Sequence, residues 1–361
     1  MSIKLTCPHC FLKIDAREEH KGSKVNCPEC NRIIHIPAPK CATGLNVDGF
    51  VIEQWLGNGA MGEVHLATQT SMGRMVALKI LPNECIESDE DTKRFIQEVR
   101  TLAKLDHPNI VSAISAGKFD GGTYLAMNFI DGITIEDKIN KQGPILESDS
   151  LRYCIAIAEA LDYSWNNSSI IHRDLKPANF MIDGKDKIHL MDMGLAKSMK
   201  NDLNLTVEGM VMGTPYYMSP EQASGERNLD VRSDIYSLGA SLYHMVTGFP
   251  PYNGMTSIQV MAKKLSDPPI PPEKHNPKLS PQLCKIIEKL MGIGLDDRPE
   301  DWQAALKLLK EKPSKKIKIK TSSKKPEASK PKNNHKKSPL TTVLIGLIIA
   351  LTIYIIFILN K

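Results

Sequence analysis

The sequence predicts an α+β chain in which strand patterns come first and helix patterns follow. Three observations carry this. Between Phe50 and Phe129 apolar residues alternate in short runs broken by glycine-rich turns. From Ser150 to Leu309 they recur at helical spacing. Two Cys-x-x-Cys pairs precede this region, and an uncharged run of twenty residues follows it. Five segments result: a zinc-binding module at 1–40, a linker at 41–49, a main domain at 50–310, a basic linker at 311–339 and a transmembrane helix at 340–359.

The formal charge of +5 is unevenly spread over the 361 residues. Lys310 to Lys337 holds twelve lysines and two glutamates, a local +10, which leaves the remainder at −5. A mildly acidic main domain argues against a nucleic-acid surface there and assigns the basic run its own partner. Of eight cysteines, Cys41, Cys85, Cys154 and Cys284 follow no pairing pattern, and the first residues lack the apolar run of a secretory signal. Both features suggest a reducing compartment.

Cys7-Pro8-His9-Cys10 and Cys27-Pro28-Glu29-Cys30 are separated by sixteen residues. That spacing suits two knuckles that aim four thiolates at one structural zinc. Forty residues have too little core to fold alone, so a metal is expected. Redox-active pairs or two disulfides are the alternatives. The module resembles zinc ribbons, with Gly22 before the second knuckle and Ile33–Pro37 as a closing strand. Its partner is a protein, a nucleic acid or none.

Phe50 to Ile80 reads as a hairpin around Gly57, Gly59 and Gly62, where bare glycines let backbone approach a phosphate chain. A strand, not a helix, follows the last glycine, which argues against a dinucleotide fold. Val76–Ile80 is an apolar strand with Lys79 inside it, and a buried lysine needs a partner. The helix predicted over Asp91–Leu105 puts Phe95, Ile96, Val99, Leu102 and Ala103 on one face, with Glu98 beside them as the expected partner. Two strands are predicted around Ile110–Ser115 and Thr123–Phe129, then a helix over Ser150–Tyr163 whose apolar side includes Cys154.

Ile170 to Asn179 packs an acid, three basic residues and an amide into ten positions. Asp174 can accept a proton from a hydroxyl, Lys176 can steady a phosphate, and the Asn179 amide oxygen can hold magnesium. A strand at Lys187–Met191 then delivers Asp192 ahead of Gly194, an oxygen ligand suited to a hard cation. Further helices are expected from Ser233 and around Pro281–Met291 and Trp302–Leu309. Residues 310–339 lose apolar content and read as disordered. Leu340–Leu359 would span roughly 30 Å as a helix, one bilayer core. Flanking lysines place its N-terminal side in the cytoplasm and on anionic headgroups.

Six separated elements stand in one order: the glycine loop, Lys79, Glu98, His172-Arg173-Asp174-Leu175-Lys176-Pro177-Ala178-Asn179, Asp192-Met193-Gly194 and Ser219-Pro220-Glu221. Together they resemble eukaryotic-type Ser/Thr protein kinases of the bacterial branch over about residues 50–310. The resemblance implies a bilobal kinase fold, with a β-rich N-lobe and a helical C-lobe. It implies transfer of the ATP γ-phosphate to protein Ser/Thr hydroxyls, with Mg2+ or, as a substitute, Mn2+. ATP would contact Leu56, Gly57, Asn58, Gly59, Ala60, Met61, Gly62, Glu63, Val64, Ala77 and Lys79, then Met127, Asn128, Ile130 and Met181. Met127 would gate the back of the pocket, and Asn128-Phe129-Ile130 would form the hinge. Asn179 and Asp192 would hold the metal, and Lys79 with Glu98 would form the strand–helix pair. Asp234 would brace the catalytic loop, and Glu221 would pair with Arg298. Thr206, with Ser198 behind it, is the candidate phosphosite, and a homodimer would serve trans-autophosphorylation. Met193 replaces the usual phenylalanine, which bears on switching between states. The implied location is the cytoplasmic membrane, single-pass and C-terminally anchored. A membrane-tethered pseudokinase scaffold and a ribbon-led nucleic-acid sensor are the rival readings.

Overall fold

The structure is a computed structural model that describes residues 2–7, 12–20, 22–36, 41–59, 62–81, 89–193, 215–226, 228–253 and 256–311. Cys10, Ala60, Met61, Ser198, Thr206, most of the basic linker and the apolar run at 340–359 lie outside them. No helix among the described residues is long and apolar enough to cross a membrane.

The cysteine module is two hairpins. Strand β1 (Ser2–Thr6) pairs with β2 (Lys13–Arg17), and β3 (Lys24–Asn26) pairs with β4 (Ile33–His35). The closing strand is therefore shorter than the predicted Ile33–Pro37. Buried Ala16 and Ile36 pack on Val25 and on Trp55 of the main domain.

A six-stranded antiparallel sheet follows, in the order β5-β6-β7-β8-β10-β9. Its members are β5 (Asn46–Val47), β6 (Phe50–Gly59), β7 (Gly62–Gln69), β8 (Arg74–Leu81), β9 (Ala113–Phe119) and β10 (Gly122–Asn128). Strand alternation gives the sheet two faces. One face carries an apolar cluster that includes Phe50, Ile52, Ala67, Leu78, Ile80 and Tyr124. The other carries Val64 opposite Lys79 and Leu66 opposite Ala77, and it faces the interlobe cleft. Gly62 is required where β7 meets β8, because a Cβ there would lie 2.0 Å from the Ile80 carbonyl oxygen. Helix α1 (Asp89–Leu102) buries Phe95 and Val99 and starts two residues earlier than the pattern suggested.

The second lobe is helical. A small sheet of β11 (Gly132–Thr134), β12 (Phe180–Asp183) and β13 (Ile188–Leu190) lines its upper edge. Its helices are α2 (Ile135–Gln142), α3 (Glu147–Ser168), α4 (Pro220–Ala223), α5 (Val231–Thr247), α6 (Ser257–Ser266), α7 (Pro272–His275), α8 (Pro281–Leu290) and α9 (Trp302–Leu309). Helix α3 runs past both predicted ends because its first and last turns are polar and show no apolar period. The Cys154 thiol is fully buried in it, and burial pushes its pKa up, as suits an inert core thiol. Helix α5 is buried along its whole length. Asp230 caps its start, and Gly248 ends it at φ 79°, a left-handed conformation in which glycine carries no Cβ strain.

Candidate active site

The loop before β12 is held from below. Asp234, in the first turn of α5, accepts the backbone N–H of His172 at 2.6 Å and of Arg173 at 2.8 Å. Burial raises its carboxyl, and the His172 ring and the two N–H bonds offset part of that rise. His172 is fully buried, with Nε2 2.9 Å from the Met191 carbonyl oxygen, so it ties the loop to the segment leading into Asp192. Arg173 and Asp192 both have positive φ, 68° and 54°. Non-glycine residues tolerate that conformation only where surroundings fix it.

This bracing presents Asp174. Lys176 Nζ donates to Asp174 Oδ2 at 2.7 Å. Asn179 Nδ2 donates to the Asp174 carbonyl at 2.7 Å, and at 3.3 Å to its carboxylate. That commits the amide nitrogen and leaves the Asn179 Oδ1 as the atom available to a cation. The Pro177–Asn179 turn is a single 3-10 turn, with proline where no N–H is needed.

Across the cleft Lys79 is 3% exposed. Its Nζ lies 2.9 Å from Asp192 Oδ2. This corrects the sequence reading, since no ion pair among the described residues joins Lys79 to Glu98. One buried ammonium needs one close counter-charge, and the positive-φ turn at Asp192 puts that carboxylate nearer than the edge of α1 puts Glu98. Burial would raise the Asp192 carboxyl; the Lys79 ammonium outweighs it, with help from His172 and Lys176, and holds the group below its usual range. Asp192 and Asn179 together offer hard oxygen ligands, the donor set that magnesium takes.

A second correction concerns Glu63. It stands opposite Ile80 on β8, one residue out of step with Val64 and Lys79, so alternation turns its side chain away from the cleft. It lies 3.0 Å from His65 Nε2 and accepts the Cys41 N–H at 3.4 Å. Of the other residues expected around a nucleotide, Leu56, Asn58 and Asn128 are exposed, and Gly57, Gly62, Val64, Ala77, Ile130 and Met181 are half-buried. Gly59 ends β6. Met127 is buried at the end of β10. It shares a pocket with Leu102, Leu105, Ile110, Val111, Ala113, Leu125, Asp192 and Met193. Met193 is thus buried in one cluster with Leu102 of α1 and with Met127.

The Glu221–Arg298 pair is present, bidentate at 2.8 and 2.9 Å, and both side chains are buried. Burial raises the Glu221 carboxyl, but hydrogen bonds from Arg298 and Ser233 pull it below its usual value. Sequence reasoning missed two neighbours. Gln222 donates to the Arg173 carbonyl at 2.8 Å, which links α4 to the catalytic loop. Lys264 is fully buried in α6 and donates to the Tyr216 carbonyl at 2.8 Å, with the Tyr236 and Tyr252 rings 4.9 and 4.8 Å from its Nζ. Its four-residue spacing from buried Val260 was the available signal.

In the cysteine module Cys7, Cys27 and Cys30 converge, with their sulfurs within 4.8 Å of one another and Cys7 3.6 Å from Cys30. The three are unbridged. Three converging cysteine sulfurs are a donor set that suits zinc.

Three comparisons bear on this geometry. A family model described as protein kinase domain matches residues 50–312. Serine/threonine-protein kinase PknB of Mycolicibacterium smegmatis is 35% identical over 256 residues, which cover 70% of this chain and 41% of that protein. Serine/threonine-protein kinase pkn3 of Myxococcus xanthus is 33% identical over 263 residues, 70% of this chain and 48% of that protein. The matched region thus spans less than half the length of these curated relatives. Among solved structures, the kinase domain of Mycobacterium tuberculosis PknI aligns at TM-score 0.60 and 27% identity, covering 74% of this chain and 98% of that one.

Proposed function

This chain belongs to the protein kinase domain family, and from that premise we propose that it transfers the γ-phosphate of ATP to Ser or Thr hydroxyls of proteins. The observation that carries this is Asp174, a carboxylate braced through Asp234 and flanked by Lys176 Nζ at 2.7 Å, across the cleft from the Lys79–Asp192 pair.

Asp174 orients the substrate hydroxyl and accepts its proton as the hydroxyl oxygen attacks the γ-phosphorus and the bond to the β,γ-bridging oxygen breaks, releasing ADP. Lys176, already on that carboxylate, lies where it offsets charge on the moving phosphoryl group. Lys79 binds the α- and β-phosphates, which requires its Nζ to exchange Asp192 for phosphate oxygens. Asn179 and Asp192 would hold magnesium, which neutralises charge on the phosphates when bound. Once Lys79 engages phosphate, Glu98 on α1 becomes its second carboxylate. Positioning and electrostatics supply most of the rate in such sites.

The same proposal extends to the flanking segments. Cys7, Cys10, Cys27 and Cys30 bind one structural zinc. Residues 340–359 anchor the chain in the cytoplasmic membrane, and the basic run before them lies on anionic lipid. Thr206, with Ser198 behind it, takes the autophosphate in a transient homodimer.

Asp174→Asn tests the central claim. Transfer of labelled γ-phosphate to a Ser/Thr peptide should fall by about 10²- to 10⁴-fold with the melting temperature unchanged. Transfer at the wild-type rate would remove Asp174 from the base role.

A further inference from the structure

On the sheet face turned away from the cleft, β7 places Glu63 and His65 two residues apart. They are 9% and 0% exposed. Their partners on β8 are apolar, Ile80 opposite Glu63 and Leu78 opposite His65. An imidazole fully buried against Leu78 is costly unless something compensates its polarity. Cys41 lies over them, with its N–H on Glu63 Oε2 at 3.4 Å. One ligand atom from each of the three residues lies within 4.8 Å of the others. His65 Nε2 is 3.0 Å from Glu63 Oε2, while Nδ1 is buried and makes no hydrogen bond among the described residues.

We propose that Cys41, Glu63 and His65 form a second site for a zinc-class divalent cation, distinct from the cysteine module. Sulfur, imidazole nitrogen and carboxylate oxygen are all zinc ligands at about 2.0–2.3 Å, which places neighbouring ligand atoms roughly 3.3–3.8 Å apart. The His65–Glu63 spacing is already near that range, and the rest closes with shifts of about 1 Å. Charge favours the assignment as well. One thiolate and one carboxylate neutralise a divalent cation, so the complex is uncharged where Ile80 and Leu78 stand opposite it. Binding moves the Cys41 thiol proton to solvent. The fourth position is left to water.

The site would fasten the start of the linker at 41–49 to the strand that leaves the glycine loop. Cys41 follows the segment that leads out of the cysteine module, and β7 begins at Gly62. The metal would thus join the junction to the phosphate-binding hairpin by a bond that chelation can break.

The test uses the full chain, purified reduced, loaded with Zn2+, desalted and measured by elemental mass spectrometry. Two zinc ions per chain are expected. His65→Gln and, separately, Cys41→Ser should each leave one, with the melting of the main domain checked. Cys27→Ser should also leave one, held at this site. Co2+ loaded into a Cys27→Ser/Cys30→Ser chain should show a thiolate charge-transfer band that Cys41→Ser removes. One zinc that is lost in Cys27→Ser and unaffected by His65→Gln and Cys41→Ser would overturn the proposal. One zinc lost in His65→Gln but kept in Cys27→Ser would uphold it and count against zinc in the cysteine module. No bound zinc would overturn both.

Discussion

Lys79 decides the resting geometry of the cleft. A buried ammonium demands a counter-charge, and Asp192 supplies it at 2.9 Å while Glu98 stays half-buried on α1. The two carboxylates should therefore differ in mutation. Asp192→Asn removes the near partner and should destabilise the domain by about 1–3 kcal/mol, less than a fully buried pair because Asp192 is partly exposed. Glu98→Gln should change stability by less than about 0.5 kcal/mol yet lower kcat, because its partner arrives only with nucleotide. Urea unfolding and peptide phosphorylation on both variants check this. Equal destabilisation by the two would contradict the pairing.

Lys264 is a second buried lysine, and it has an ionisation of its own. Burial, and then the nearby Arg298, push its pKa well below the usual 10.5. The unfolded chain therefore holds more protons than the folded chain between the two values, so this residue makes stability rise with pH across that window. Lys264→Met should flatten the stability slope between pH 7 and 9, read from urea midpoints. It also removes the hydrogen bond to the Tyr216 carbonyl, so KM for peptide should rise roughly fivefold while KM for ATP stays constant, the scale of one neutral hydrogen bond. An unchanged slope with both constants unchanged would exclude this role.

At the scale of elements, the C-lobe is latched by a chain of contacts from α4 to α9. Glu221 at the start of α4 holds Arg298 just before α9, and Arg298 stacks on Tyr236 of α5 at 5.0 Å. Both charges are buried, so Arg298→Ala strands a carboxylate and should cost about 3–5 kcal/mol by denaturant unfolding. The acid side follows from Glu221, whose folded pKa is below its unfolded value near 4.5. Its contribution is fully present above that unfolded value and is lost as pH falls through the folded one. The acid limb of the wild-type curve should be steeper than that of an Arg298→Ala/Glu221→Gln chain. Parallel limbs would contradict the assignment.

The elements also show how far local pattern reaches. Residue types at motif spacing located Asp174, Lys176, Asn179 and Asp192, because phosphate and metal chemistry needs those groups, whereas Asp234, Glu221 and Arg298 came from the resemblance to protein kinases. Strand alternation would have set Glu63 apart from Val64 had it been applied residue by residue. The choice of Asp192 over Glu98 as the Lys79 partner was not legible, since it depends on a backbone turn at φ 54° and on where α1 packs. Lys264 was hidden for the converse reason: in a helix, lysine reads as surface until tertiary packing encloses it.

At the scale of the whole molecule, the lysine-rich run and the apolar run proposed as an anchor would hold a membrane by different physics, and salt separates them. The lysines between Lys310 and Lys337 would attract anionic headgroups at about 1 kcal/mol each near the surface, an attraction that falls off within roughly 10 Å at 0.1 M salt. The twenty uncharged residues at 340–359 would be held by burial of apolar surface, which salt does not screen. The full chain should therefore sediment with vesicles of any headgroup charge and stay there in 1 M salt. A chain ending at residue 339 should sediment only with anionic vesicles and leave them as salt rises from 0.05 to about 0.5 M. If that shortened chain still sediments with neutral vesicles in high salt, a contact elsewhere holds it and the single-anchor reading fails. If the full chain leaves anionic vesicles in high salt, the apolar run is not inserted and the lysines alone account for binding.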